Sequence, residues 1–254
     1  MIRETANLKT VTIASERERS ARQQFVELYH QCPIPENEIL RNLGLFINRQ
    51  SLSRMLYMAE LYRKIIAVHG VVMEFGTRWG HNLALFSSLR GIYEPYNFTR
   101  KIVAFDTFEG FVSFTAEDGK AQELGAGGFG VTAGYEKYLE QVLEYHEQES
   151  PLPHIRRFQL VKGDAPQMLE RYLGEHPETI IALAYFDMDL YEPTKKCLET
   201  VMKHVTRGSV LGFDELNFDA WPGETIAVSE VLGLAKYKIV RSPLEPTSSY
   251  VVID

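Results

Sequence analysis

Five short apolar runs, most of them closing on an acid, limit what this chain can fold into. They are VVMEF (71–75), KIVAFD (101–106), FQLVKGD (158–164), IALAYFD (181–187) and SVLGFDE (209–215). Longer segments of helical character separate them, at 80–90, 134–148, 166–173, 192–204 and 224–235. Strand–helix alternation of this kind predicts an α/β fold, a mainly parallel sheet covered by helices on both faces. The chain then closes with YKIVRSP and SSYVVID, two strand-like runs whose Pro-containing link is too short for a helical crossover. That pair must be antiparallel, giving six or seven strands in all. Ligands of open parallel sheets bind beyond the carboxyl ends of the strands. Glu74, Asp106, Asp164, Asp187 and the Asp214–Glu215 pair all fall there.

Residues 14–70 contain no strand-like run and read as helical. In SLSRMLYMAELYRKIIAVHG, Leu52, Met55, Leu56, Ala59, Leu61, Ile65 and Ile66 recur near a helical period before a glycine stop. We therefore divide the chain into an N-terminal helical cap and oligomerisation region, 1–70, and a ligand-binding domain, 71–254. Within the latter, 112–155 reads as an insertion that serves as a lid, and its glycine-rich ELGAGGFGVTAG (123–134) as a loop. With 34 acidic residues against 27 basic, the formal charge is −7, which disfavours a phosphate backbone as partner. Cys32 and Cys197 have no metal-ligand spacing and fit a reducing compartment. No signal peptide and no apolar run approaching ~20 residues is present, so a cytoplasmic protein without a membrane segment is expected.

EFGTRWGHN (74–82) follows the first strand and opens the first helix of the domain. Gly76 permits a tight turn, Gly80 close packing, and the exposed N–H groups of the helix start favour a carboxylate or phosphate. Arg78 occupies the place of the middle glycine of a dinucleotide fingerprint, which disfavours a pyrophosphate. Asp106 ends the second strand, where an acid can bond both hydroxyls of a ribose or cap the following turn. Glycine turn and acid together point to a nucleoside ligand without a pyrophosphate. S-adenosylmethionine fits, with its amino-acid end at the turn, ribose at Asp106 and adenine near Gly163–Asp164.

The stretches VMEFGTRWGHN, VAFDTFEGF, LVKGDAPQML, FDMDLYEPTKKCLE and GFDELNFDAWPGETIAVSEVL occur in the order and spacing of a known family. From about residue 40 to 254 the chain resembles the macrocin O-methyltransferases, class I S-adenosylmethionine-dependent enzymes that methylate deoxysugars on antibiotics. The resemblance implies a seven-stranded Rossmann-like sheet with an antiparallel closing strand. It implies cofactor contacts at Glu74, Gly76, Thr77, Gly80, Asp106, Thr107 and Asp164. It also implies a divalent metal, Mg2+, on Asp187, Asp214 and Glu215. Glu215 stands where a second aspartate is usual, and Thr107 where serine is commoner.

On that reading Mg2+ takes the carboxylates together with sugar hydroxyls, and a bound hydroxyl becomes more acidic. Asp187 and Asp189 are then the catalytic acids, with Asp189 as general base; the bland alternative is that Asp189 caps the next helix. The expected acceptor is a glycosylated small molecule, and the expected assembly a homo-oligomer. A catechol-type O-methyltransferase is the nearest rival, but such enzymes place a lysine where this chain reads Met188, Asp189, Leu190. A non-catalytic cofactor-binding scaffold is the other, and it would not need clustered acids. Phe108 and Phe111 are weaker candidates for covering adenine, and Trp221 for lining the acceptor pocket. His81, His146 and His154, and Arg49, Gln50 and Ser51 reaching over the cofactor, are weaker still.

Overall fold

The structure, a computed structural model, describes residues 14–254. The first thirteen residues of the expected N-terminal region lie outside that range. The strands are β1 (Val71–Phe75), β2 (Ile102–Asp106), β3 (Phe158–Lys162), β4 (Ile181–Phe186), β5 (Val205–Phe213), β6 (Val240–Arg241) and β7 (Ser249–Val252). They form one seven-stranded sheet in the order β3-β2-β1-β4-β5-β7-β6. β1 to β5 run parallel, and β7 is antiparallel to both β5 and β6. Chain order reverses between β1 and β4, the switch point at which a crevice opens.

Before the sheet come α1 (Glu16–His30), α2 (Glu36–Ile39) and α3 (Arg49–Lys64), with a 3-10 segment at Leu40–Phe46. Within it come α4 (His81–Tyr93), α5 (Tyr135–Gln148), α6 (Ala165–Glu175), α7 (Tyr191–Val201) and α8 (Gly223–Val231). Strand residues alternate between faces. Met73, Phe105, Phe186 and Phe213 thus pack with Leu169, Leu198 and Val228 on the α6–α8 side. Ala104, Leu183 and Tyr185 pack with Leu61, Phe86 and Leu143 on the α3–α5 side. α3 is therefore part of the sheet's own cover, although it lies within the expected N-terminal cap.

The helical period expected for α3 is present, but its buried face is Tyr57, Met58, Leu61, Tyr62 and Ile65. Leu52 and Leu56 stay outside, 47% and 49% exposed. Two tyrosines fill the inward positions because their hydroxyls find partners there: Tyr57 donates to Ser249 O, and Tyr62 to Glu94 Oε2. α1 is closed by a Ser15–Glu18 capping box and has no buried residue. It meets its neighbours through Phe25 and Tyr29 against Phe46.

Residues 112–155, expected to form an inserted lid, have two parts. The first part holds a 3-10 helix, Ala116–Leu124, that the sequence reading did not resolve from loop. α5 closes the second, and Glu147 near its end lies between the buried guanidinium groups of Arg90 and Arg157.

Candidate active site

Four phenylalanines align the strand ends. Phe75 is in register with Phe105 on β2 and Phe186 on β4, and Phe186 with Phe213 on β5. Their rings stack at centroid distances of 5.0–5.3 Å. The residue after each is Gly76, Asp106, Asp187 or Asp214, so three carboxylates and one turn leave the sheet at one level. Gly76 has φ +87°, and a Cβ there would stand 1.9 Å from the Asp187 carbonyl oxygen. Only glycine lets the turn after β1 pass under the end of β4.

A cavity of about 780 Å³ opens above this edge. Gly76, Thr77, Asp106, Thr107, Asp164, Asp187, Asp189, Asp214 and Glu215 all line it. Glu74 and Gly80 do not. Glu74 is fully buried behind the turn, and Gly80 faces Leu139 of α5, whose Cδ1 a Cβ would meet at 2.3 Å. Asp106 accepts from the backbone N–H of Arg78 and of Phe108, each at 2.6 Å, tying the β1 turn to the β2 turn while its remaining lone pairs face the cavity. Thr107 Oγ1 donates to Gly110 O and accepts from Glu109 N, so its hydroxyl shapes the loop.

Among the described residues, buried polar atoms without a well-formed hydrogen bond gather at the β1–α4 turn: both Glu74 oxygens, Thr77 Oγ1 and Asn82 Oδ1. Burial pushes the Glu74 carboxyl up to about 8. Thr77 and Asn82, which lie beside Glu74 and line the cavity, hold polar atoms whose burial is costly unless a ligand supplies donors. An ammonium group has three.

Across the cavity lies the acid edge. Asp189 has φ +62°, a left-handed conformation that is uncommon for residues other than glycine. It does not cap α7. That task falls to Asp118 of the insert, whose Oδ1 accepts from Tyr191 N at 2.6 Å. Burial, followed by the neighbouring Asp214, raises Asp189 to about 7 and moves Asp187 well above the usual carboxylate range. Burial and the charges of Asp189 and Asp214 raise Glu215 to about 9, and Glu215 Oε2 has no partner.

Arg54, which sequence reasoning missed, enters this edge from α3. Its Nη1 lies 2.5 Å from Asp214 Oδ1 and 3.6 Å from Asp187 Oδ2, and its Nε 3.3 Å from Glu245 Oε2. It also donates to the Tyr185 hydroxyl, which in turn donates to Asp214 Oδ1 at 2.9 Å. The sequence had pointed to Arg49, Gln50 and Ser51, one helical turn too early. Arg49 and Gln50 are exposed, none of the three lines the cavity, and Ser51 N is taken by the Asn48 cap. The expected metal set is not assembled: among the described residues no group of three or more His, Cys, Asp or Glu is placed to hold a metal ion. A guanidinium stands at Asp214 and Asp187 instead.

Phe111 and Trp221 line the cavity within an aromatic patch that includes Phe114, Phe129 and Phe218. The Arg78 guanidinium lies 4.8 Å over the Phe129 ring, and its Nε has no partner. Phe108 is core. His81 lines the mouth of the cavity, whereas His146 meets Ser88 and His154 is exposed, both away from it.

A parallel sheet reversing at β1/β4, a glycine turn after β1, an acid ending β2 and an antiparallel closing strand define a class I S-adenosylmethionine-dependent methyltransferase. No family model and no curated protein matches the chain. Among solved structures it is 42% identical to CalS11, a calicheamicin methyltransferase, over 98% of this chain and 97% of that one, at a TM-score of 0.89. An apo structure of CalS11, as TDP-rhamnose 3'-O-methyltransferase of calicheamicin biosynthesis, gives 41% identity, coverage of 97% and 99%, and a TM-score of 0.84. The O-methyltransferase NovP shares the fold at 17% identity, 79% coverage of each chain and a TM-score of 0.58. The chain belongs to the macrocin O-methyltransferase family of deoxysugar O-methyltransferases of antibiotic biosynthesis.

Proposed function

We propose that the β1–β3 side of the cavity holds S-adenosylmethionine and the β4–β5 side presents a deoxysugar hydroxyl to it. The observation that carries this is the aligned strand edge, which sets a turn of unpaired acceptors on one side of the cavity and clustered acids on the other. Thr77 and Asn82, which line the cavity, suit the cofactor's ammonium group, with Glu74 backing them from behind the turn and Gly76 and Gly80 shaping it. Asp106 and Thr107 suit the ribose, and Asp164 the adenine end. When bound, the cofactor supplies an electrophilic sulfonium methyl.

Asp189 takes the hydroxyl proton as the oxygen attacks in line. The bound cofactor would supply the methyl for the new C–O bond, its C–S bond being the one broken and a neutral thioether the leaving group. An acid raised to about 7 is suited to a base working near neutrality. Asp187 orients the same hydroxyl, and much of the rate comes from holding the reacting atoms together. Mg2+ has no step in this reading, because Arg54 stands at two of its three expected ligands.

The likeness to a TDP-rhamnose 3'-O-methyltransferase favours a nucleotide-linked sugar over a finished glycoside as acceptor. Arg78, with its unpartnered Nε, and Lys196 line the cavity as cations for a diphosphate, and Phe111 and Trp221 offer faces for a base. The part of residues 112–155 that precedes α5 acts as the acceptor lid, and the exposed face of the N-terminal helices up to residue 70 as an oligomerisation surface. A cytoplasmic location is part of this reading; no helix among the described residues is long and apolar enough to cross a membrane.

Calorimetry should show binding of S-adenosylmethionine, weakened by ~1–3 kcal/mol in Asp106→Ala through loss of a charge-assisted bond. Turnover should appear with a TDP-deoxyhexose. Binding of NAD in place of the methyl donor would end the reading.

A further inference from the structure

The acid edge gathers more carboxyl groups than it has cations to pair with. Asp187, Asp189, Asp214 and Glu215 meet there with Glu245 and the fully buried Glu224, whose Oε2 is unpartnered. Facing them are two guanidinium groups, Arg54 from α3 and Arg78 from the β1–α4 turn. Arg78 lies toward Asp187 and Asp189 and rests over the Phe129 ring on the cavity wall. Arg54 is set deeper. It touches Asp214, Asp187, Glu245 and the Tyr185 hydroxyl at once, and Tyr185 bonds the same Asp214 oxygen. A side chain held from four directions is a fixed part of the site, and its planar fork suits two carboxylates.

We propose that the Arg54 guanidinium is the resident cation of this site and competes with a divalent metal ion for Asp187 and Asp214. It supplies there the positive charge that a metal would supply, and it fixes the two carboxylates at the level where the acceptor hydroxyl arrives. The inference rests on the methyl-transfer reading of the same cavity. Its chemical content is specific: a divalent ion and the guanidinium exclude each other at Asp214 Oδ1, which is hydrogen-bonded by Tyr185 and ion-paired by Arg54. With Arg54 in place the acids are not grouped to hold a metal ion; removing the guanidinium, without removing any acid, frees Asp187 and Asp214 to converge as oxygen donors of the kind divalent cations take.

The test is Mn2+ titration of the full chain without cofactor or acceptor, with free Mn2+ followed by electron paramagnetic resonance. Wild type should bind weakly. Arg54→Gln should bind one Mn2+ at least ~10-fold more tightly, since a competing unit charge a few ångströms away has gone. Arg54→Lys, which keeps the charge and loses the fork, should stay within about threefold of wild type if charge is the competing element. No gain in Arg54→Gln would overturn the proposal. So would tight stoichiometric Mn2+ uptake by wild type, a measurement that holds even if the variant fails to fold. Because the titration uses no methyl donor, its outcome is separate from the cofactor calorimetry that tests the methyl-transfer reading.

Discussion

Asp189 and Glu74 show how one sheet edge gives two carboxyl groups different work. Asp189 sits in a left-handed conformation on the cavity wall, whereas Glu74 is sealed behind the turn. Asp189→Asn should slow methyl transfer by ~10²–10⁴-fold with cofactor affinity unchanged, as expected for a lost base; single-turnover assays beside calorimetry separate the two. Full activity in Asp189→Asn would move the base elsewhere. Glu74 titrates differently. Its carboxyl keeps its proton in the folded chain up to about 8, while an unfolded chain releases it near the ordinary value of 4.5. More protons are then bound in the folded state, so stability falls as pH rises between those values. Glu74→Gln removes that penalty. Its melting temperature relative to wild type should rise from pH 5 to pH 8 by at least ~2–4 °C, the equivalent of about 1 kcal/mol in a chain of this size. An equal difference at both pH values would mean that Glu74 ionises normally.

At the scale of elements, the ion cluster at the end of α5 decides which part of the insert is fixed. Glu147 bridges Arg90 of α4 and Arg157 just before β3, and all three are buried. Its loss would leave two guanidinium groups unpaired in the interior. Glu147→Ala should cost ~3–5 kcal/mol in chemical denaturation, and Glu147→Gln less. The sequence made most elements legible because their periods are local. The strands at 71–75, 102–106 and 181–186 and the helix at 135–148 fall within a residue or so of expectation. β5 starts at Val205 rather than 209, since its polar first residues pair at a register shift in β4 and have no apolar pattern to betray them. β6 has shrunk to Val240–Arg241, an edge strand paired only with β7. Arg54 and Asp118 escaped notice for one reason. Their partners lie 131 and 73 residues away, at Tyr185 and Tyr191, and no local pattern reports such distances. The recurring Phe-Asp pairs at 105–106, 186–187 and 213–214 were visible, but their common register needed the pairing of four strands.

At the scale of the whole molecule, an apolar surface stays uncovered among the described residues. Leu28, Leu40, Leu45, Leu52 and Leu56 are exposed along the N-terminal helices, and α1 has no buried residue. A helix of that length is marginal in water without packing. Light scattering should therefore report a closed homo-oligomer, and deletion of residues 1–47 should return it to monomer while the sheet still folds. A stable ~29 kDa full-length monomer would remove the oligomerisation reading. The phenylalanine ladder has a further consequence, for how such a sequence can drift. Successive residues of a strand point to opposite faces, so a one-residue insertion or deletion inside β1, β2, β4 or β5 exchanges the ring and the following residue. The aromatic would swing out of its stack, and the charge would be driven toward the core. Point changes in these strands adjust the site by degrees, but a single-codon gain or loss erases one of its four corners. Length variation among descendants of this chain should collect in the inserted segment and avoid these strands altogether.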